Sequence, residues 1–276
     1  MRPVVFVKYY DKVSTILAAD QMSEALRARG IESRSIHVEE LAGVSDSTLI
    51  FIKTSKLPHL WRARRRRNIL ILDIHDTLVF KRRIKNRRLF HGLIFRNGRQ
   101  RRDFSPRGGP RGPPATTIYL HWDPRFGPNE VGAAGFKVGY LGDRRSLSLW
   151  GELPGVPCYG FDEVFEAARG LNCHLSVRTT PREMRYKPGI KVVTAAACDA
   201  VLVTTRDASA VELLGPEYPY YTEPDRDSVL RAIEHARETF NTPLWHSALD
   251  TMRGIKLAHT IEAETDEYLA YLRRFD

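Results

Sequence analysis

The chain has 276 residues, is 42% hydrophobic and carries a formal net charge of +10. That length holds one large or two small α/β domains with substantial cores. No apolar run approaches the roughly 18–20 residues that cross a bilayer, and residues 1–7 enter a strand without a signal-peptide layout. Cys158, Cys173 and Cys198 lie in apolar surroundings without Cys-x-x-Cys spacing, so they read as reduced core thiols of a cytoplasmic protein, not as a disulfide frame or zinc site.

The charge is concentrated in one segment. Residues 56–112 hold 18 Lys and Arg against 3 acids, and the rest of the chain is slightly acidic. The basic segment fits a nucleic-acid surface, a patch for an anionic membrane leaflet, or a solvated face. No nucleic-acid motif or aromatic platform supports the first.

In chain order, residues 4–9 form a first strand, and Ser14 is placed to cap a helix that Gly30 stops. Further strands follow at residues 33–38, 48–53, 68–74, 94–96 and 116–121. Strands alternating with helices predict a parallel sheet covered on both faces. Ligands of such sheets gather at the carboxyl ends of the strands, which points to Lys8, Asp11, Lys12, Thr54, His75, Asp76, Asn97, His121, Trp122 and Asp123. Trp122 with its polar neighbours reads either as an acceptor platform or as a packed ring beside a turn. Residues 105–114 are too rich in Gly and Pro for regular structure. The domain boundary is expected near residue 130, giving domains 1–130 and 131–276. The second begins with a strand near Val138, continues with a helix capped by Asp162 and a strand at residues 173–178, and ends in helices.

The richest stretch is residues 186–215. Pro188 and Gly189 open a helix whose alanines permit close packing on a sheet. A buried strand at residues 200–205, a polar loop and a second helix follow. Helix N-termini beside Lys187 and Lys191 suit an anionic ligand, although an ordinary α/β unit with solvated lysines has the same pattern.

This stretch resembles the donor-binding half of GT-B glycosyltransferases. The run Thr194-Ala-Ala-Ala-Cys198, the strand after it and Glu212-Leu-Leu-Gly215 match that superfamily's small-residue helix, buried strand and Glu-Leu-Leu helix. The sequence departs where the superfamily carries Glu (here Thr194), Gly (Asp199) and an upstream acid (Tyr186). The resemblance implies two Rossmann-like domains and metal-independent transfer of a sugar, with no cofactor beyond the nucleotide-sugar donor. The acceptor would be a glycan, a lipid-linked molecule or another hydroxyl compound. It implies that Arg178, Lys187 and Lys191 meet the diphosphate, that backbone at residues 208–210 (Ser209 and Ala210 among them) offers N–H groups, and that Glu212 holds hydroxyls. Asp11, His75 and Asp76 are the candidate catalytic bases. The last helix is expected to return to the first domain, and the protein would be cytoplasmic with peripheral contact at the inner membrane face.

Two alternatives stand beside this reading. One is a non-catalytic relative that binds partners or nucleic acid through its arginines. The other rests on residues 69–78, which resemble the nucleophile motif of haloacid-dehalogenase-type phosphatases with Asp73 as nucleophile; His75 stands where the second Asp belongs.

Overall fold

The computed structural model describes residues 1–11, 13–53, 55–75, 88–105, 112–143 and 153–276. Lys12, Thr54, Asp76, most of the arginine- and lysine-rich run at 81–88, the centre of the Gly/Pro-rich stretch and the residues after Asp143 lie outside that description. The chain divides into two compact units: Met1–His121 with Tyr186–Pro188 and Thr260–Asp276, and Trp122–Arg185 with Gly189–His259.

The first unit is built on a six-stranded sheet in the order β2-β1-β3-β4-β5-β6. Its strands are β1 (Val4–Lys8), β2 (Ser33–His37), β3 (Thr48–Ile52), β4 (Ile69–Ile74), β5 (Gly92–Phe95) and β6 (Ala115–Thr117). Every pairing is parallel; Val4 sits opposite Ser33 on one side and Thr48 on the other. The Val, Ile, Leu and Phe runs of β1, β3 and β4 are buried on both faces, which is why they read as continuous apolar stretches. After β1 comes one helical run: α1 (Val13–Thr15), a π-helical stretch Ile16–Gln21 and α2 (Met22–Ala28). Ser14 lies inside this run rather than capping it, and its hydroxyl accepts from Lys53 Nζ. Gly30, at φ +77°, ends the run as expected. Helix α3 (Leu57–Arg65) has Pro in its first turn and buries Leu60 and Ala63. Helix α4 (Gly98–Phe104) is capped by Asn97, whose side chain accepts from Gln100 N.

The second unit has a parallel five-stranded sheet in the order β11-β10-β9-β7-β8. Its strands are β7 (Val138–Leu141), β8 (Cys158–Tyr159), β9 (Cys173–Ser176), β10 (Val201–Thr205) and β11 (Tyr221–Thr222). Its helices are α5 (Val164–Arg169), α6 (Pro181–Tyr186, whose last residue enters the first unit), α7 (Ile190–Ala197), α8 (Ala208–Leu214), α9 (Arg226–Glu238) and α10 (Pro243–Ala258). Asp162 does not cap α5; Glu163 takes the position before it and accepts from Gly160 N. Ala195, Ala196 and Val203 pack with Tyr218, Tyr220 and Trp245 in the main core cluster. Cys173 and Cys198 are buried and unpaired, and burial pushes the Cys198 thiol up to about 12.

The last helix, α11 (Ile261–Leu272), belongs to the first unit. Tyr271 lies against Gly92, where even a methyl group would come within 2.5 Å of its hydroxyl. That hydroxyl accepts from Leu93 N at 2.9 Å and donates to the Pro114 carbonyl at 2.7 Å. Deeper in, Arg96 Nε donates to Asp73 Oδ1 at 2.8 Å, its Nη2 pairs with Asp73 Oδ2, and its Nη1 donates to Glu264 Oε1 at 2.5 Å. Tyr268 donates to Asp73, and Glu264 Oε2 accepts from His121 N and faces His121 Nδ1. Burial by itself would raise both carboxyls. Arg96, with His75 beside Asp73 and His121 beside Glu264, overrides it and holds both below their ordinary values.

Candidate functional site

The carboxyl ends of the first unit's strands gather polar groups. Lys8, at the end of β1, donates from Nζ to Asp11 Oδ1 and Asp20 Oδ2, each at 2.8 Å. The other Asp11 oxygen lies 3.1 Å from His37 Nε2. The hydrogen bond from Lys8, with His37 nearby, holds the Asp11 carboxyl below its usual value. Such a carboxylate is well placed to bind hydroxyls and weak as a proton acceptor. Tyr9 ties this edge to α3, accepting from Lys56 N at 2.8 Å and sitting 2.9 Å from His59 Nδ1.

His75 follows β4 and is 1% exposed. Its Nε2 lies 3.3 Å from Asp73 Oδ1, a long contact, and Nδ1 has no hydrogen-bond partner among the described residues. Burial pushes this imidazole down, against the pull of Asp73, so it stays neutral at physiological pH. Asp76 lies outside the described residues. Lys187 belongs to this unit, and its carbonyl accepts from Asn97 Nδ2 at 3.2 Å. Gln100 holds the same segment by donating to the Tyr186 carbonyl at 2.6 Å.

Asp73 itself is unavailable as a nucleophile. It is fully buried, with both oxygens taken by Arg96 and one also by Tyr268. His121 and Asp123 likewise serve the fold: His121 is held by Glu264, and Asp123 forms a two-pronged pair with Arg125. Trp122 Nε1 donates to the Lys256 carbonyl at 3.0 Å.

In the second unit the ends of β7, β9 and β10 and the starts of α7 and α8 form one cluster. Gly189 is the N-cap of α7 and brings no side-chain acceptor to its first turn. A Cβ there would lie 2.6 Å from Leu213 Cδ1 and 3.4 Å from Ser209 Cβ, so glycine is what lets α7 start against α8. Lys191, in the first turn of α7, holds its ammonium 4.9 Å from the Tyr140 ring centroid. A Cβ at Gly142, which sits at φ +144°, would meet that ammonium at 2.6 Å. Glycine therefore leaves both the backbone and the cation room at the end of β7. Burial and the nearby Lys191 charge push His174 down to about 3.

Arg178 follows β9, and its backbone N–H donates to Thr205 Oγ1 at 3.1 Å. Its guanidinium pairs with Asp207, Nε to Oδ2 at 3.3 Å. Asp207 also caps α8, accepting from Ala210 N at 2.9 Å. Burial raises this carboxyl, against the effect of Arg178. Ser209 and Ala210 are buried, while Glu212 lies half-buried on α8. The structure thus brings Arg178, Lys191, Ser209, Ala210 and Glu212 into one unit, and Asp11, His75 and Lys187 into the other.

Asp207 was missed by the sequence reading, which took it as part of a polar loop. Its place one residue before α8 is the available signal, since Asp there caps a helix. Asp199 stands where the resembled family carries Gly and adopts the left-handed φ of +49° that such a position demands. Lys256 Nζ grips its two oxygens at 2.9 and 3.0 Å.

The sequence matches no protein-family model and no curated protein. Solved structures match nearly the whole chain. The chain is similar to Anabaena Alr3699/HepE in complex with UDP and glucose, with a TM-score of 0.72 and 12% identity over 99% of this chain and 100% of that one. An E. coli structure described as trehalose-6-phosphate bound with UDP-2-fluoro glucose gives 0.68 and 12% over 98% of both chains. The trehalose-6-phosphate synthase OtsA gives 0.63 and 13% over 96% of this chain and 83% of that one. With two parallel Rossmann-like sheets and these structural neighbours, the chain has the GT-B fold.

Proposed function

We propose that this protein transfers a sugar from a nucleoside-diphosphate donor, of which a uridine nucleotide is the first choice, to a hydroxyl group of a glycan or lipid-linked acceptor. The observation that carries the reading is the cradle of Lys191, Gly142 and Gly189 at the strand ends of the second unit, on the fold of proteins solved with UDP or a UDP-sugar analogue. In this reading the second unit, Trp122–Arg185 with Gly189–His259, holds the donor, and the first handles the acceptor. The bond from the anomeric carbon to the diphosphate oxygen breaks as the bond to the acceptor oxygen forms, and the acceptor proton leaves to a base. Lys191 meets the charge that grows on the departing diphosphate. Glu212 holds ribose or sugar hydroxyls, and Ser209 and Ala210 line the same end of α8.

Two features refine the roles. Arg178 is already balanced by Asp207, so its contribution to an anion is smaller than that of an unpaired arginine. Of the candidate bases, His75 is neutral but shut away from solvent, its Nδ1 buried without a partner among the described residues, whereas Asp11 is exposed and its carboxyl is held low by Lys8. Asp76 stays a third candidate.

The same Asp207 contacts favour a second reading, a nucleotide-binding relative without transfer activity, because one carboxylate occupies both the arginine and an N–H group of the donor helix. Thermal shift against nucleoside diphosphates, with and without magnesium, followed by donor turnover, separates the two. Stabilisation by one nucleoside diphosphate with turnover supports transfer, and stabilisation without turnover supports the binding protein. If the Lys191→Ala variant folds and keeps full nucleotide affinity, the donor assignment is wrong.

A further inference from the structure

The outward face of α3 combines two features that a merely solvated face does not need. Leu57 and Trp61 are separated by one helical turn, and they remain 41% and 50% exposed. Leu60 and Ala63, on the buried face of the helix, already fix it to the first unit's core. Exposed Pro58, Arg62, Arg65 and Arg66 flank the apolar pair, and no acid occurs anywhere in α3. Among the described residues, Arg62, Arg65 and Arg66 have no ion-pair partner, whereas Arg67 pairs with Asp46 and Arg64 donates to the carbonyls of Arg88 and Leu89.

We infer that this face of α3 docks the protein on an anionic lipid surface. Charge complementarity selects the partner: three unpaired arginines and no acid suit a negative leaflet, where each basic residue strengthens binding about fivefold near the surface. The apolar pair selects lipid over nucleic acid. An indole ring settles at the headgroup level of a bilayer, and Leu57 and Pro58 add aliphatic contact but no ring on which a base could stack. Arginine stems lie along such a surface with their charged heads in the phosphate layer. The start of α3 is bound to Tyr9, at the carboxyl end of β1 that carries Asp11, so docking sets that end of the sheet close to the lipid. The inference is independent of the transferase reading, and its failure would leave that reading as it stands.

The test is flotation of the full chain with vesicles of pure phosphatidylcholine and of phosphatidylcholine with an anionic phospholipid, at low and physiological salt. Binding to the anionic vesicles alone is expected, falling as salt rises. The Trp61→Ser variant should bind about tenfold more weakly, since the membrane loses its one aromatic anchor on this face. The Arg62→Ser, Arg65→Ser, Arg66→Ser triple should lose roughly a hundredfold at low salt. The triple Arg169→Ser, Arg226→Ser, Arg253→Ser, on the second unit, should bind like the parent. Brominated lipid should quench the parent's tryptophan emission but not that of Trp61→Phe. All substituted side chains are exposed, so unchanged melting temperatures are expected and would confirm that the variants fold. No binding to anionic vesicles at low salt overturns the inference. So does equal loss in both triples, binding indifferent to Trp61, or tight binding to a single-stranded oligonucleotide with none to vesicles.

Discussion

Asp73 and Arg96 form a two-pronged ion pair with both side chains fully buried, joining the middle strand β4 to the end of β5. Glu264 and Tyr268 from the chain's last helix complete it. Removing one partner leaves a buried charge without compensation. Arg96→Met is therefore expected to lower stability by about 3–5 kcal/mol, measured by urea unfolding. A loss under 1 kcal/mol would mean that the cluster is hydrated.

The pH dependence follows from groups whose folded pKa lies below the unfolded value. Asp73 and Glu264 are held below their usual 3.8 and 4.5, so their contribution is complete above about pH 4.5 and is lost as pH falls through the lower folded values. His174 keeps a neutral ring down to about 3, while in the unfolded chain it takes a proton near 6.5. Below 6.5 it therefore costs stability, at up to about 1.4 kcal/mol per pH unit. Chemical denaturation across pH 4–8 should show a decline that begins near 6.5 and steepens below 4.5. His174→Leu should make the first part shallower, the remaining slope coming from His75 and His91, which burial also pushes down.

Gly92 accommodates Tyr271. Gly92→Ala should cost roughly 1–3 kcal/mol because Tyr271 and Phe275, whose Cζ would lie 2.7 Å from the new Cβ, must both shift. In Tyr271→Phe the clashing hydroxyl is gone, while Leu93 N keeps its bond to the Pro114 carbonyl. The two substitutions should therefore couple in a double-mutant cycle by at least about 0.5 kcal/mol. Strict additivity would assign the cost to Phe275, the other ring that the new Cβ would meet.

Asp199 occupies a left-handed position, which Asp and Asn tolerate and β-branched residues do not. Asp199→Asn is expected to stay within about 1 kcal/mol of the parent, the value of a partly exposed pair with Lys256. Asp199→Val should lose more, by about 1–3 kcal/mol. Equal losses in thermal melts would assign the effect to the ion pair and not to the backbone.

At Gly142 a side chain would displace the Lys191 ammonium and strain the positive φ. Gly142→Ala should weaken binding of the stabilising nucleoside diphosphate by at least about fivefold, as read by calorimetry. The lysine tip can move aside, but the positive φ also strains an alanine, so a lower melting temperature is expected beside the loss of binding. Unchanged affinity would remove the end of β7 from the donor site.

Much of the fold was legible because it rests on local patterns. Uninterrupted apolar strands announce a parallel sheet buried on both faces, and the Pro188-Gly189 opening with its run of alanines marks a helix laid tightly on one. The lysines flanking Gly189 were legible for the same reason, since small residues and cations stand next to each other in the chain. The partners of charged groups were not legible. Nothing local links Asp73 to Arg96 and Glu264, or Arg178 to Asp207, and the first of these links turned a candidate nucleophile into part of the core.

The sequence by itself therefore determined the alternation of strands and helices, the concentration of arginine in one segment and the small-residue helix after Pro188-Gly189, because each is a matter of neighbouring side chains. Only the tertiary structure decided which charges are spent on folding and which remain for ligands. That balance depends on burial and on carboxylates brought from distant strands and helices: the same guanidinium that binds an anion when exposed becomes part of the core once a buried carboxylate meets it.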